Sequence, residues 1–244
     1  MEVNYRHAVE RHSFEDLASG RVLYNGRGTT AFPVRLASEL FSRAAAYLTG
    51  RGNAGPYRLY DPCAGGAYML TAIGFLHGDL IADIAASDID PQAVELAARN
   101  LSLLTAEGLN ERVRQLRELY DSYGKTSHSE ALDSAERLGA IIASHPERPA
   151  TACLAADATE PIGALQGRQF DMIVSDLPYG HLVDWTTEAE HPARQMLDRL
   201  APLLTPVSVV VLVAPKEQKI TNDRYEQVGQ FKVGKRRAIL LKLK

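Results

Sequence analysis

Short apolar runs alternate along this chain with segments in which apolar residues recur every three or four positions. The runs predict strands at 57–61, 82–88, 151–157, 170–176 and 207–214, and the periodic segments predict helices at 67–77, 91–104 and 192–204. Nearly continuous apolar strands that alternate with helices are typical of a mostly parallel sheet with helices on both faces. The pattern therefore predicts an α/β fold of the Rossmann-like kind.

The two ends of the chain depart from this alternation. At the C-terminus, residues 225–243 predict an antiparallel edge hairpin, which makes the sheet mixed. Its turn is predicted at Lys232–Lys235, where Gly234 supplies a positive φ. At the N-terminus, residues 1–56 hold a predicted helix and a glycine-rich linker. We interpret them as a helical extension packed on a domain of residues 57–244.

A third departure is the connection 105–150 between the second and third predicted strands, which is longer than an ordinary connection. It predicts two helices broken near Gly124–Lys125. The insertion is either a functional helical hairpin or a structural buttress.

Composition narrows the class of protein. The 244 residues, 45% of them hydrophobic, suit one globular domain, and two cysteines far apart argue against a disulfide framework. Since neither a signal peptide nor a membrane-spanning run is evident, we expect a cytoplasmic protein without membrane contact. The net charge is −3, but residues 215–244 hold nine lysines and arginines against three acids. That segment forms either a basic face for nucleic acid or ordinary surface scatter.

The first predicted strand ends in Asp-Pro-Cys-Ala-Gly-Gly-Ala, residues 61–67. A glycine turn between a strand and a helix suits an adenosine cofactor, because glycine admits close backbone approach and the helix N-terminus offers unpaired N–H groups. Dinucleotide and P-loop patterns are absent. The turn resembles motif I of class I S-adenosylmethionine-dependent methyltransferases, with Ala67 in place of the second glycine. We expect Ala67 to be tolerated if its φ is negative; a purely structural turn is the alternative.

The next two strands also end in acids. Asp88 can accept hydrogen bonds from both ribose hydroxyls of an adenosine, whereas Asp90 could equally cap the helix that Pro91 opens. Asp157 can accept from an adenine amino group or be a turn residue. Asp176 of the fourth strand is also a candidate for the cofactor site. The predicted cofactor-binding residues are Asp61, Pro62, Cys63, Ala64, Gly65, Gly66, Asp88, Ile89, Asp157, Ala158 and Asp176.

The fourth strand ends in Ser-Asp-Leu-Pro-Tyr-Gly, residues 175–180, which resembles the N/D-P-P-Y/F motif of amino-group methyltransferases. The resemblance implies that Asp176 and the Leu177 carbonyl accept hydrogen bonds from the target amine and stabilise the charge that develops there. Tyr179 then stacks on a base that is unpaired or flipped out. Because leucine replaces the usual proline, loop rigidity is predicted to rest on Pro178 alone. A simple strand-end turn is the alternative.

Further segments extend the resemblance to one family. YRHAVER (5–11), DLASG (16–20), AFPVRLASELFSRA (31–44), RNLSLL (99–104) and Trp185 join the motifs above. Together they resemble the avilamycin-resistance-type 23S rRNA guanine methyltransferases, least so in 105–150 and after residue 215. The resemblance implies a class I methyltransferase fold, S-adenosylmethionine as cofactor, a guanine of the large ribosomal subunit as target, and orthosomycin resistance. The amine-type loop makes N2 of that guanine a natural candidate.

Candidate roles can also be given to residues outside these motifs. Arg35 either reaches the carboxylate of the cofactor or neutralises a surface acid. Trp185 either closes over the base or packs in the core. The predicted RNA-binding residues are Tyr179, Trp185, Lys216, Lys219, Lys235, Arg236 and Arg237.

Two other functions stay open at this point. The same loop pattern serves methyltransferases for other amides or amines, such as a protein glutamine. Ala67 is the feature that favours a non-catalytic RNA-binding homologue. No metal is expected, because the histidines and cysteines lack ligand spacing.

Overall fold

Seven strands form one mixed sheet in the order β3-β2-β1-β4-β5-β7-β6. The computed structural model describes residues 13–18, 20–26, 31–145, 147–178, 185 and 190–244. Neighbouring strands from β3 to β5 are parallel, and β7 is antiparallel to both β5 and β6. The predicted mixed sheet with its C-terminal hairpin is therefore confirmed. The strands are β1 (Tyr57–Asp61), β2 (Ile81–Asp88), β3 (Ala150–Ala155), β4 (Phe170–Asp176), β5 (Leu204–Pro215), β6 (Tyr225–Val233) and β7 (Arg236–Leu243).

Two of the helices, the third and the fourth, have residues with identifiable capping roles at their ends. Asp90 precedes the third helix and its Oδ1 accepts a hydrogen bond from the Gln92 N–H at 2.9 Å, as the capping alternative requires. Gly124 ends the fourth helix in the left-handed conformation. The helices are α1 (Val34–Thr49), α2 (Tyr68–His77), α3 (Pro91–Ser102), α4 (Ala106–Tyr123), α5 (Thr126–Ser144) and α6 (Pro192–Leu200). Within the described residues, none of these helices has the length and apolar character needed to cross a membrane.

The strand order reverses between β1 and β4. The chain enters the sheet at β1, moves outward through β2 to β3, and returns to β4 on the other side of β1. In open α/β sheets, ligands bind at such a reversal, beside the carboxyl ends of the strands. The topology thus places the strand-end motifs at one edge of the sheet.

The N-terminal part shares its core with the sheet. Buried α1 residues such as Leu40, Phe41 and Leu48 belong to the same hydrophobic cluster as Leu59 of β1 and Val211 of β5. One continuous core therefore covers both sides of the predicted boundary at residue 56, and the division into two parts stays a proposal.

The long connection consists of α4 and α5, which pack against each other and against the N-terminal segment. Arg137 donates from Nε and Nη2 to the two carboxylate oxygens of Asp16, at 2.9 and 2.6 Å. Arg21 donates to Glu130 at 3.0 Å. These contacts favour a buttress that supports the residues ahead of α1.

Candidate active site

Four acidic side chains approach one another at the carboxyl edge of β1 to β4. Burial raises the pKa of Asp61, and the charges of Asp88 and Asp176 raise it further. Burial likewise raises the pKa of the Cys63 thiol, with added effects of Asp61, Asp88 and Asp157. Since β3, β2, β1 and β4 are neighbours in the sheet, the four strand-end acids share one electrostatic environment.

Asp61 is the buried member of this group. Its Oδ1 accepts hydrogen bonds from the Ser175 hydroxyl at 2.6 Å and from the Cys63 N–H at 3.0 Å. Burial outweighs both hydrogen bonds and raises its pKa to about 7. Through these two hydrogen bonds, Asp61 links the glycine turn to the end of β4.

Replacement of Asp61 by asparagine is expected to stabilise the protein above neutral pH. The pKa in the folded state is raised from its usual value of 3.8 to about 7, so the folded state holds a proton that the unfolded chain releases. Wild-type stability must then fall as pH rises through that window. Asparagine keeps the Oδ1 acceptor without a charge to bury, and we expect the Tm of Asp61→Asn to exceed that of the wild type by a few degrees at pH 8.

Thermal denaturation at pH 5 and pH 8 checks this prediction. The gain in Tm should be clearly smaller at pH 5, where Asp61 is protonated in the folded protein. An equal gain at both pH values, or a lower Tm at pH 8, would contradict it.

The glycine turn has room for a ligand. Gly65 has a φ of +51°, and a Cβ built on it would meet no atom within 4 Å, so the backbone faces open space. Asp88 shapes the turn: its Oδ2 accepts from the Gly65 N–H at 2.8 Å and its Oδ1 from the Asp90 N–H at 3.0 Å. A carboxylate offers about four acceptor positions, so Asp88 can also accept ribose hydroxyls. Ile89 beside it is 44% exposed and offers an apolar surface. These residues fit an adenosine cofactor.

The backbone of Ala67 does not have the negative φ on which its tolerance was predicted to depend. Its φ is +54° and its ψ is 30°, which is the left-handed region, and the residue is fully buried at the start of α2. An L-residue there costs roughly 1–2 kcal/mol. Alanine therefore stands in the place of the second motif glycine in a backbone conformation that glycine would adopt without strain.

Glycine at position 67 should be tolerated and valine should not. Ala67→Gly removes about 1–2 kcal/mol of left-handed strain. It also loses roughly 0.8 kcal/mol of methyl burial and about 0.4–1 kcal/mol through a more flexible unfolded chain. The free energy of unfolding should stay within about 1 kcal/mol of the wild type by these opposing terms. Ala67→Val places a β-branched residue at positive φ and should destabilise strongly. Urea denaturation of both variants measures this; a strongly destabilised glycine variant would refute the strain argument.

The surroundings of Asp157 and Arg35 support a role in cofactor binding less strongly. Asp157 Oδ1 accepts hydrogen bonds from the N–H and the hydroxyl of Thr159, at 2.8 and 2.7 Å, so it is a turn residue as the alternative reading had it. Ala158 next to it is buried. Arg35 is exposed on the first turn of α1, and within the described part of the chain no partner of its guanidinium is found. Their contact with a cofactor stays a prediction.

Asp176 at the end of β4 is paired with Arg236. The Arg236 Nη1 donates to both carboxylate oxygens, at 2.9 and 2.7 Å, and both side chains are largely buried. Burial raises the pKa of Asp176, although the charge of Arg236 opposes this. The basic C-terminal sequence makes Arg236 a predicted RNA-binding residue, whereas in the structure its guanidinium contacts Asp176, the acid of the proposed catalytic loop.

The loop after β4 is held by more than Pro178, which corrects the sequence expectation. The Leu177 side chain is 1% exposed in an apolar cluster, and its N–H donates to the Val213 carbonyl of β5 at 2.9 Å. Proline at position 177 could not make that hydrogen bond. Leucine therefore anchors the loop in a way that the usual proline cannot. Tyr179 lies outside the described residues.

Comparisons with known proteins identify the family. A family model described as rRNA methyltransferase AviRa matches residues 3–236. The chain belongs to the AviRa family.

The curated proteins and the solved structures each give a match from Streptomyces viridochromogenes to this AviRa family member. A 23S rRNA (guanine(2535)-N(1))-methyltransferase is 39% identical over 243 residues, which cover 98% of this chain and 95% of the relative. The solved structure of rRNA methyltransferase AviRa is 38% identical with a TM-score of 0.86, and the match covers 98% of this chain and 96% of that one. The predicted family and the predicted enzyme class, an rRNA methyltransferase, are confirmed.

A more distant structure shows the fold alone. TrmN from Thermus thermophilus is 16% identical with a TM-score of 0.51, and the match covers 88% of this chain and 50% of that one. Together with the AviRa structure, this match confirms the class I methyltransferase fold predicted for this AviRa family member.

The predicted RNA-binding residues of this AviRa chain differ in exposure and in the groups that they contact. Lys216, Lys219 and Lys235 are exposed at the carboxyl end of β5 and in the β6–β7 turn, beside the site. Arg237 instead donates to the Gln218 carbonyl at 2.9 Å. Trp185 packs partly buried against the apolar cluster that includes the Leu177 side chain, and its indole N–H has no partner in the described part of the chain. The lysines are therefore better placed for phosphates than the arginines.

Asn100 is the residue whose role sequence reasoning missed. It is fully buried in α3, accepts a hydrogen bond from the Tyr24 N–H at 2.8 Å, and donates to the carbonyls of Tyr24 and Gly66 at 3.2 and 2.8 Å. Asn100 thus ties the N-terminal segment to the glycine turn. The RNLSLL segment marked its neighbourhood, but only the fold shows what the amide contacts.

Among the residues for which the structure gives positions, no cluster of three or more histidine, cysteine, aspartate or glutamate side chains suited to a metal ion is present.

Proposed function

We propose that this chain transfers a methyl group from S-adenosylmethionine to N1 of a guanine in 23S rRNA. The observation that carries the proposal is the Asp176 carboxylate, whose pKa is raised, at the sheet edge that also holds the glycine turn. The AviRa family membership and the 39% identical relative that methylates guanine N1 support the target. The amine-type loop in the sequence favours N2 as the methylated atom. The name of the 39% identical relative favours N1 instead.

The choice of N1 changes what the enzyme must do. In neutral guanine, N1 carries a proton, and its lone pair is delocalised into the ring. Methylation therefore requires that the N1–H proton leaves. A carboxylate with a raised pKa is a better proton acceptor than an ordinary one, and general-base catalysis of this kind contributes roughly 10²–10⁴-fold to rate. In this function Asp176 takes the N1 proton.

The glycine turn and its neighbours would hold the cofactor, which supplies an activated methyl group on a sulfonium. The backbone at Gly65 would lie against it, Asp88 would accept from its ribose, and Ile89 would cover its adenine. Support comes from the open space at Gly65 and from the hydrogen bonds that fix Asp88 on the turn. Asp61 and Asn100 would position the turn without contact to the cofactor.

The RNA would be bound at the same edge. A base inside a duplex cannot reach Asp176, so the guanine has to be unpaired or flipped out. Tyr179 would stack on it, and Lys216, Lys219 and Lys235 would contact phosphates. Contacts of this kind make affinity fall steeply with salt concentration.

Labelled methyl transfer tests the proposal. The protein is incubated with S-adenosylmethionine carrying a labelled methyl group and with naked 23S rRNA, large subunits or a glutamine-containing peptide, and the product nucleoside is identified by chromatography. We expect label in rRNA as 1-methylguanosine. Label on N2, or on the peptide alone, would refute the proposed target.

An experiment in cells tests whether the modification protects ribosomes from avilamycin. We expect expression in an avilamycin-sensitive bacterium to lower its susceptibility, and the Asp176→Ala variant to leave susceptibility unchanged from an empty vector. Equal protection by both proteins would separate resistance from methyl transfer.

A further inference from the structure

We infer that Arg236 is the second base-reading group of this site: its guanidinium donates to O6 of the guanine while Asp176 takes the N1 proton. This inference rests on the proposed function. It assigns a role to Arg236 that differs from the phosphate contact suggested by the basic C-terminal sequence.

The position of Arg236 is determined by the sheet. It is the first residue of β7 and lies opposite Pro215 at the end of β5, while Asp176 lies opposite Val213 one strand further in. The Arg236 side chain is 19% exposed and that of Asp176 is 26% exposed. The guanidinium carbon lies 5.7 Å from the centroid of the Phe32 ring. A cation held in this way is part of the site wall rather than of an outer surface that meets phosphates.

The pair matches the hydrogen-bonding edge of guanine. That edge presents an acceptor, O6, beside two donors, N1–H and the N2 amino group. Adenine presents the reverse, with an amino donor beside an N1 acceptor. A carboxylate accepts only and a guanidinium donates only, so Asp176 and Arg236 side by side complement guanine and oppose adenine. A buried site built in this way rejects the wrong partner because its polar groups would be left unpaired.

The same arrangement supports the proton transfer. The N1–H bond breaks and its proton goes to Asp176, while the electron pair left on N1 forms the bond to the methyl carbon. The bond from that carbon to sulfur breaks, and its electron pair stays on sulfur. As the proton leaves, negative charge builds up on O6, and a guanidinium placed there stabilises it.

The charged groups that face Asp176 decide the direction of the pH effect. Among the residues that the structure describes, they are Arg236 from β7, which lowers the pKa of Asp176, and Asp61 from β1, whose own pKa is raised by the charge of Asp176. Loss of Arg236 should raise the pKa of Asp176 further. Because Asp176 must be ionised to accept the proton, the acidic limb of the rate profile should move to higher pH.

The test compares Arg236→Gln, Arg236→Lys and the neighbouring Lys235→Gln by steady-state kinetics on a 23S rRNA fragment between pH 6 and pH 9. For Arg236→Gln we expect kcat to fall about 100-fold, as for loss of an oxyanion donor, with the KM for RNA nearly unchanged and the acidic limb moved to higher pH. Arg236→Lys should recover part of kcat. Lys235→Gln should instead raise KM and lower the salt dependence of binding by about one unit of slope.

Calorimetric binding of S-adenosylmethionine establishes that each variant is folded. If Arg236→Gln does not fold, Arg236→Lys decides: a reduced kcat at constant KM supports the inference, and a wild-type kcat with a wild-type pH profile overturns it. A raised KM with unchanged kcat in Arg236→Gln would also overturn it and make Arg236 a phosphate contact. Absence of 1-methylguanosine with the wild-type enzyme would refute the proposed function itself.

Discussion

Asp176→Asn and Asp176→Ala are both expected to lower kcat for methyl transfer by about 10²–10⁴-fold, the range for loss of a general base. The carboxylate takes the N1 proton in the proposed function, and an amide cannot accept a proton at neutral pH. Single-turnover methylation of a 23S rRNA fragment measures the chemical step directly. The affinity for S-adenosylmethionine should change little, because Gly65 and Asp88 provide the main cofactor contacts in this proposal.

The asparagine variant distinguishes N1 from N2 as the target. If Asp176 only accepts a hydrogen bond from the N2 amino group, asparagine keeps an acceptor oxygen and the loss should be mild. Equal severity of both variants therefore supports proton transfer from N1. A mild asparagine variant beside a severe alanine variant would favour an amine target and contradict the proposed chemistry.

Asp90→Asn is the matched control for the Asp176 variants. Asp90 also follows a strand end, but its carboxylate caps α3 at 2.9 Å from the Gln92 nitrogen. Asparagine is as good an N-cap as aspartate, so stability and kcat should both stay near wild type. A loss of kcat like that of Asp176→Asn would mean that any change of charge at this edge impairs the enzyme.

Asn100→Ala is expected to produce the largest loss of stability from a single polar residue. It leaves the Tyr24 N–H and the carbonyls of Tyr24 and Gly66 without the partner they have in the native structure. Each buried group left unsatisfied costs about 1–3 kcal/mol, and the three are not additive, so we expect a total of about 3–5 kcal/mol. At about 2–4 °C per kcal/mol for a chain of this size, the Tm should fall by about 6–20 °C.

The Asn100 contact also predicts a functional effect. Because Asn100 holds the carbonyl of Gly66, its loss should loosen the glycine turn and weaken binding of S-adenosylmethionine at a temperature where the variant is still folded. Calorimetric titration at 15 °C measures this. An unchanged affinity would limit Asn100 to a structural role in the N-terminal segment.

Asn110→Ala provides the control for Asn100→Ala. Asn110 is exposed on α4, and alanine has the higher helix propensity, so the Tm should be unchanged or slightly higher. A large loss at Asn110, or a small one at Asn100, would contradict the importance of the buried hydrogen bonds.

The strand-end motifs show how far local patterns reach. The apolar run 170–176 predicted β4 with its observed bounds, and the residues that follow predicted a loop at a sheet edge. Pro91 after Asp90 predicted the start of α3. Such features depend on residues a few positions apart, which is the range over which hydrophobic periodicity and capping act.

The C-terminal arginines show where such patterns fail. Arg236 is separated from Asp176 by 60 residues and meets it because β7 inserts between β5 and β6. A basic run in the sequence predicts positive charge but does not say which acid or phosphate that charge meets. Ala67 is a similar case, since its positive φ follows from the path of the turn rather than from its own preference.

By itself, the sequence determined the alternation of strands and helices, the acids at the strand ends and the family to which the chain belongs. These depend on periodicity and on short motifs. The tertiary structure alone decided that Arg236 pairs with Asp176, that Asn100 ties Tyr24 to Gly66, and that Leu177 anchors its loop on β5. Each of these is a contact between residues far apart in the chain, and the strand order and burial select it from many partners of equal chemistry.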